Sequence, residues 1–342
     1  MISGVVLALF YLSAIFAEFL APGDPHAYNA RYTYAPPQAI HLLDHDEAGR
    51  LVFRPYVLGY AVTIDPVALR RTFEVDRGEK HRLLLLGKSE PYLLMGFIPM
   101  QRKLLTVEDQ GIPLLLLGAD RLGRDVLSRL ILGTRISLSV GLVGVILSLA
   151  IGLVVGGLSG YHGGRLDLVV QRVIEFLRSL PSIPLWMGLT AALPRDWSPL
   201  AIYFAVTIIL SLVGWTELAR VVRGRFLALK TEDYVTAARL DGASDLRLIF
   251  RHMMPAFTSH IIAAASLAIP AMILAETSLS FLGLGLQAPI ISWGVLLQEA
   301  QNIRSVATAP WLLWPAAAMV VAVLAMNFLG DGLRDAADPY AT

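Results

Sequence analysis

The chain has 342 residues, 56% of them hydrophobic, with a mean hydropathy of +0.62 and a formal net charge of only +1. That apolar share exceeds what soluble domains carry, and the apolar residues arrive in long blocks instead of alternating with polar ones. The near-zero charge excludes a basic field for nucleic acid, and the lack of cysteine excludes a disulfide framework, thiolate catalysis and thiolate metal sites.

The sequence therefore reads as an integral membrane protein, in which a span needs about 20 mostly apolar residues. Ile2–Leu20 meets that with only Glu18 near its outer end. It lacks the basic flank of a signal peptide and is long for one. A span starting at residue 2 implies a short preceding head or a different start.

From residue 22 the composition changes. Pro22, Pro25, Pro36 and Pro37 are followed by charged residues alternating with strand-like runs at Arg54–Ile64 and Tyr92–Ile98. Leu114–Leu117, just after Pro113, reads as a short buried strand. The expectation is a small mixed α/β domain over residues 22–117, inserted after a first helix at 1–21 and richer in apolar residues than a linker. His41 and His45 stand four apart, as two metal ligands on one helix face would. Lying among Asp44, Asp46 and Glu47, they are read as a solvated polar turn in preference to a metal site.

Further spans are expected at Ile136–Ser159, Leu168–Leu193, Leu200–Trp215, Ala256–Leu286 and Pro310–Leu329. About six spans put both termini on one side. Thr216–Pro255 carries Arg220, Arg223, Arg225, Lys230, Arg239, Arg247 and Arg251, whereas the short opposite loops carry mainly Arg195 and Arg304. Positive charge in short loops faces the cytoplasm, so Thr216–Pro255 and the termini are cytoplasmic and residues 21–135 lie outside. The third span opens with Arg172, Glu175 and Arg178 near one face, read as snorkelling and mutual pairing over a second protein contact. Gly156–Gly157, Gly283 and Gly285 are read as allowing close helix packing. His260 reads as structural.

The polar stretch Thr231–Pro255 has the most definite shape. Thr231 can cap a helix, and Glu232 and Asp233 suit the positive end of its dipole. Tyr234, Ala237, Ala238 and Asp241 share one face, with two alanines that let another backbone approach. Gly242 stops that helix. A second begins at Ser244, with Leu246, Ile249, Phe250 and Met253 as its apolar face, and Pro255 breaks it. The pattern alone leaves this elbow open between a docking element and a connector lying on lipid.

The segment Asp233–Pro255 resembles the "EAA" loop of inner-membrane permeases of binding-protein-dependent ABC importers, by the spacing from Ala237–Ala238 to Gly242 to Pro255. Thr236 stands where that motif has its glutamate. Gly118-Ala-Asp-Arg-Leu-Gly-Arg-Asp-Val-Leu-Ser-Arg129 is similar to the GTDxxGRDxLSR signature of the oligopeptide, dipeptide and nickel branch, C-type subunit, with Ala119 for threonine. Gly133–Gly141, Glu276–Gly285, Ser292-Trp-Gly294 and Gly330–Asp335 fit the same branch. The likeness covers residues 115–338.

The resemblance implies an all-α transmembrane bundle of the type I importer, here 118–342 with a coupling loop at 231–255, in a bacterial inner membrane. It implies a second, B-type permease subunit, two cytoplasmic ATPase subunits and an extracytoplasmic substrate-binding protein as partners, besides lipid. It places the ATPase contact on Tyr234, Thr236, Ala237, Ala238, Gly242, Ala243 and Ser244. Peptides are the implied cargo, with nickel, oligosaccharides or opine-like solutes as alternatives. The chain has no G-x-x-x-x-G-K-[S/T] nucleotide loop, so ATP hydrolysis falls to partners and the chain is expected to be non-catalytic and without cofactor. Residues 22–115 are expected to meet the binding protein or the partner permease.

Glu276 is the sharpest ionisable residue inside a span. A carboxylate there costs about 2.5–3.5 kcal/mol and must face a bundle interior or a wet cavity. It is either a site on the substrate path or a structural carboxyl. A stand-alone secondary transporter would need a second broken helix matching the one at Pro181 and Pro184, and none is seen. A membrane enzyme would need Glu276 and His260 to meet, although they stand about four turns apart on one helix.

Overall fold

In lipid an apolar block satisfies its backbone by bonding within itself, which makes it a helix. The computed structural model describes residues 2–45, 49–66, 70–109, 111–194 and 196–336, with backbone alone at 259 and 334–336. Among them, four helices are long and apolar enough to cross a bilayer: Val126–His162, Pro199–Leu229, His260–Phe281 and Pro310–Leu333. Helix α1 (Ile2–Ile15) is shorter, and after a break at Phe16 one more turn, Ala17–Leu20, completes the first apolar stretch.

Of the long helices, α2 (Val126–His162) starts well before the expected Ile136. The stretch read as one span at Leu168–Leu193 is instead two helices, α3 (Gly164–Ser179) and α4 (Ser182–Ala191), neither of which reaches that length. Pro181 forces Leu180 out of the helical region, to φ −82° and ψ 134°, and so divides them. Helix α5 (Pro199–Leu229) runs far past the expected Trp215, because no proline lies between Leu200 and Leu229 to stop it. Helix α6 (Asp233–Leu240) opens the elbow, and α7 (Thr258–Phe281), α8 (Trp293–Leu297) and α9 (Trp314–Ala336) follow.

The chain forms two compact units, Ala8–Ser137 with Ile290–Val320, and Met1–Leu7 with Leu138–Pro289 and Val321–Thr342. In the first, strands β1 (His41–His45), β2 (Leu51–Ile64), β3 (Arg71–Leu85) and β6 (Leu105–Val107) form an antiparallel sheet in the order β1-β2-β3-β6. Strands β4 (Lys88–Leu94) and β5 (Ile98–Arg102) make a separate hairpin. No α-helix occurs among the described residues of 22–117, whose helical content is the 3-10 turn Ala30–Tyr32, so the expected mixed α/β segment is a β one.

Local expectations shift for identifiable reasons. His41 and His45 lie on a strand, about 13 Å apart at 3.3 Å per residue, not on a helix face, and His41 stacks on Tyr56 with centroids 5.0 Å apart. The run Tyr92–Ile98 straddles a turn at Met95 and Gly96, both at positive φ. Leu114 and Leu115 are buried as expected, but Leu115 bonds Gln38 (backbone N–H to Gln38 Oε1 2.7 Å, and Gln38 N–H to Leu115 O 2.9 Å) instead of joining the sheet.

Also in this unit, Asp120 accepts from the backbone of Leu122 and Arg124 and from the Arg124 side chain, which shapes the turn before α2. Asp125 then receives the N–H of Leu127 and Ser128 as a helix cap. Arg135 fills the break in the first helix. It forks onto Glu18 at 2.5 and 2.7 Å and donates to the Ala14 and Ile15 carbonyls that the break at Phe16 leaves unpaired.

In the second unit a row of small residues on α2 sets the packing. A Cβ at Gly141 would lie 2.6 Å from Ile273, and one at Gly144 3.0 Å from Met272, both on α7. A Cβ at Gly152 would lie 2.8 Å from Leu218, and one at Gly160 2.7 Å from Phe226, both on α5. At Gly156 a Cβ would strike the Ala219 carbonyl and lie 2.9 Å from its Cα. The helices touch backbone to backbone there, the small-residue packing that membranes favour. Gly157 faces Phe226 at an ordinary 3.5 Å. We expect Gly156→Ala to cost about 1–3 kcal/mol and to lower the thermal midpoint of the detergent-purified chain. Its neighbour Gly157→Ala should leave the midpoint unchanged.

Candidate functional site

The elbow begins where α5 ends. Glu232 is the residue ahead of α6, and Asp233 lies in its first turn, where an acidic group suits the dipole. At the other end Gly242 (φ +78°) donates to Arg239 O at 3.1 Å, and Ala243 donates to Ala238 O at 3.1 Å. This paired closure is a Schellman turn, which satisfies two of the last carbonyls and needs a left-handed residue. The chain then makes a single α-turn, Asp245–Arg247, followed by a π-helical turn, Leu248–Met253, and a 3-10 turn, Met254–Phe257.

The π-turn changes which residues are buried. Leu248, Ile249 and Met253 are enclosed, while Leu246 and Phe250 are exposed. An α-helix would have aligned Leu246, Ile249, Phe250 and Met253. In a turn bonded i to i+5, Leu248 and Met253 fall in one row instead. With Val235 they join Val222, Phe226, Phe257, Ile261 and Tyr161 in one core cluster, so α6 and the second turn are packed onto α2, α5 and α7.

Outward, the elbow shows Tyr234, Thr236, Ala237, Gly242 and Ser244, while Ala238 and Ala243 are half-buried and pack inward. Six exposed or half-exposed small residues are thus gathered about one turn and its closing glycine. Partial burial and the Glu232 charge push the Tyr234 phenol up. Leu240, 84% exposed, was not singled out by the spacing of the apolar residues, because it lies off the Tyr234–Ala237–Ala238 face.

Tyr161, near the end of α2, joins the parts of the elbow and carries no local sequence signal. Its hydroxyl donates to Asp245 Oδ1 at 2.6 Å. Lys230, just before α6, and Arg239, within it, stand over its ring, each 5.8 Å from the centroid. Groups from before, within and after α6 therefore converge on one side chain of α2. The hydrogen bond contributes roughly 1–2 kcal/mol, and each cation about 0.5–1 kcal/mol at such a partly exposed place.

A second fixed point lies on α3. Asp167 takes Arg223 Nε at 2.5 Å and Nη2 at 2.6 Å, with the Ser159 hydroxyl at 2.5 Å. Those bonds hold the Asp167 carboxyl below the usual carboxylate range. Of the expected α3 trio, Arg172 pairs with Glu175 at 2.7 Å, while Arg178 pairs with Glu217 of α5.

Glu276 is fully buried in α7, and its Oε1 accepts from the Ser280 hydroxyl at 2.7 Å. Ser280 Oγ in turn accepts from Leu286 N–H at 2.9 Å. Gly283 (φ +77°) donates to Ser280 O and Leu284 to Leu279 O, a second Schellman closure. Gly285 sits so close that a Cβ would lie 2.7 Å from Ser280 N. Gly283 and Gly285 thus form the turn that ends α7 rather than a helix-packing face. His260 is exposed, near the start of the same helix.

Replacing Gly242 by Ala puts a Cβ into open space but keeps a left-handed backbone, which costs about 1–2 kcal/mol. Hydrogen exchange should therefore quicken about 5–30-fold at the Asp233–Leu240 amides and stay unchanged in α9.

Comparison with known proteins gives the following. The sequence profile described as binding-protein-dependent transport system inner membrane component matches residues 152–341. That of the N-terminal TM domain of oligopeptide transport permease C matches residues 1–37. The oligopeptide transport system permease protein OppC of Bacillus subtilis (strain 168) is 37% identical over 223 residues, covering 65% of this chain and 70% of its own. The dipeptide transport system permease protein DppC of the same organism is 39% identical over 224 residues, covering 65% and 68%. A chain of the solved MetNI methionine ABC transporter overlaps at a TM-score of 0.49 and 20% identity, covering 61% of this chain and 96% of that one.

Proposed function

The chain belongs to the binding-protein-dependent transport system inner membrane components, and from that premise we propose that it is one permease subunit of an ATP-driven peptide importer. It pairs with a second, B-type permease in the inner membrane of a bacterium. Two cytoplasmic ATPase subunits bind below, and an extracytoplasmic binding protein delivers di- or oligopeptides. The peptide cargo is supported by two of the relatives, an oligopeptide and a dipeptide permease.

The observation that carries the docking role is the elbow's two-sidedness. Val235, Leu248 and Met253 fasten it to the bundle, while Tyr234, Thr236, Ala237, Gly242 and Ser244 stay open. Small exposed residues around a closed turn let a partner's cleft approach the backbone, with Ala238 and Ala243 backing the contact. When the ATPases close on ATP, their displacement pulls on α6. The Tyr161 brace passes it to the end of α2, and the Asp167–Arg223 pair carries it between α3 and α5. Hydrolysis belongs to the partners, because this sequence has no phosphate-binding loop.

Glu276 we assign to holding the end of α7. Full burial and the Ser280 bond support that role over a place on the substrate path. Glu276→Gln keeps an acceptor for Ser280 and should leave peptide uptake within about twofold of wild type. A large loss of uptake in a fully assembled complex would return Glu276 to the path.

Ala237→Arg tests docking directly. The variant should reach the membrane at wild-type level, yet co-purify with at least tenfold less ATPase; undiminished recovery would overturn the docking reading. Tyr161→Phe keeps the ring and its cations but loses the Asp245 bond. Its complex should assemble and hydrolyse ATP while importing several-fold less peptide per ATP, and an unchanged ratio would remove the brace from the mechanism.

A further inference from the structure

The β4–β5 hairpin has an unusual distribution of side chains. Its base carries Lys88, Glu90 and Arg102, yet Leu93–Ile98 contains no charged residue. Leu93, Met95, Phe97 and Ile98 are all exposed, Phe97 by 68%, and Leu85, Leu86 and Leu104 near the base are exposed as well. Hairpin tips in water carry polar turn residues, and a contiguous apolar patch on a surface marks an interaction site.

What covers this patch follows from where the hairpin is tied. Met95 N–H donates to Glu18 Oε2 at 3.4 Å, and Leu104 N–H donates to Phe19 O at 2.9 Å. Both acceptors lie in the last turn of the first apolar stretch, and Arg135 fixes Glu18 there. Exposed Leu9, Leu12, Ile15 and Phe16 run along α1 up to that turn. The tip therefore continues the lipid-facing surface of α1 at the depth where the helix leaves the bilayer.

We propose that Leu93–Ile98, flanked by Leu85 and Leu86, dips into the headgroup and upper acyl region of the leaflet at that end of α1. The charged base stays in water, and the strand segment is held to the membrane by a second contact besides its covalent helix. This rests on the membrane spans and not on the identity of the cargo or of any partner.

The chain has no cysteine, so single-cysteine labelling of the full chain is clean. Spin labels at Phe97→Cys and Glu74→Cys would be compared in vesicles of phosphatidylethanolamine and phosphatidylglycerol, reading accessibility to oxygen against a water-soluble nickel chelate. Glu74 lies on β3, roughly 35 Å along the strand from Leu85 at about 3.3 Å per residue. The oxygen-to-nickel ratio should be several-fold higher at 97 than at 74, and Leu93→Cys should repeat it if Phe97→Cys does not fold. Equal ratios would overturn the proposal. So would a label at 97 that is open to nickel in vesicles and shielded only after an extracytoplasmic binding protein is added, because that result makes the tip a protein surface.

Discussion

A bilayer offers no water to a backbone group that loses its partner, and three irregularities among the described residues are built to answer that. Where the first helix breaks at Phe16, the carbonyls of Ala14 and Ile15 are taken by Arg135, whose charge is balanced by Glu18. Where α7 ends, Gly283 closes the last carbonyls and Glu276, Ser280 and Leu286 form a chain of donors and acceptors behind it. Where α2 begins, Asp125 takes the N–H groups that have no partner in the helix. Arg135, Glu18, Glu276, Ser280 and Asp125 are thus all tied to the breaks and ends of helices, and a carboxylate buried in a span need not touch a substrate to be required.

The same constraint governs how the helices meet. Lipid tails are as apolar as leucine, so burial from water cannot draw helices together, and close contact must do it. The glycines of α2 let α5 approach to backbone distance and seat the Ile273 and Met272 side chains of α7, which makes α2 the shared wall of its unit. Tyr161 stands at the end of that wall. A load applied to the elbow through Tyr161 therefore reaches the helix against which α5 and α7 are both packed, whereas the same load applied to a loosely packed helix would be lost as side-chain rearrangement.

Much of this was legible in the sequence because it is local. Hydropathy located the four long apolar helices among the six expected spans, and the positions of Ala237, Ala238 and Gly242 gave the shape of the elbow. What escaped was of three kinds. Interruptions were misread where one residue decides the backbone: Pro181 splits a span, and Met95-Gly96 turns a strand into a hairpin. The π-turn at Leu248–Met253 puts Leu248 in the buried row in place of Leu246 and Phe250, and an α-helical period cannot express that. Partners far apart in sequence were invisible, since nothing near Tyr161 names Asp245 and nothing near Arg135 names Glu18. The second short helix is expected and Gly242 does stop the one before it, yet Leu246 and Phe250, placed on the second helix's apolar face by an α-helical period, stand exposed.

The two exposed surfaces differ in how firmly the backbone beneath their side chains is held, and that separates their partners. At the elbow Leu240, Leu246 and Phe250 are open beside the small residues around Gly242, and the turn that carries them is hydrogen-bonded shut and packed onto the bundle, so a folded partner would meet a fixed shape. At the β4–β5 tip the open residues are Leu93, Met95, Phe97 and Ile98, long side chains on a two-stranded hairpin. A protein partner would have to supply a pocket for each, whereas acyl chains accommodate any arrangement of methyl groups and demand only paired backbone, which the tip supplies through Gly96 N–H to Leu93 O, Phe97 N–H to Leu94 O and Met95 N–H to Glu18. A shape fixed by the bundle suits a protein; a narrow apolar tip suits a fluid.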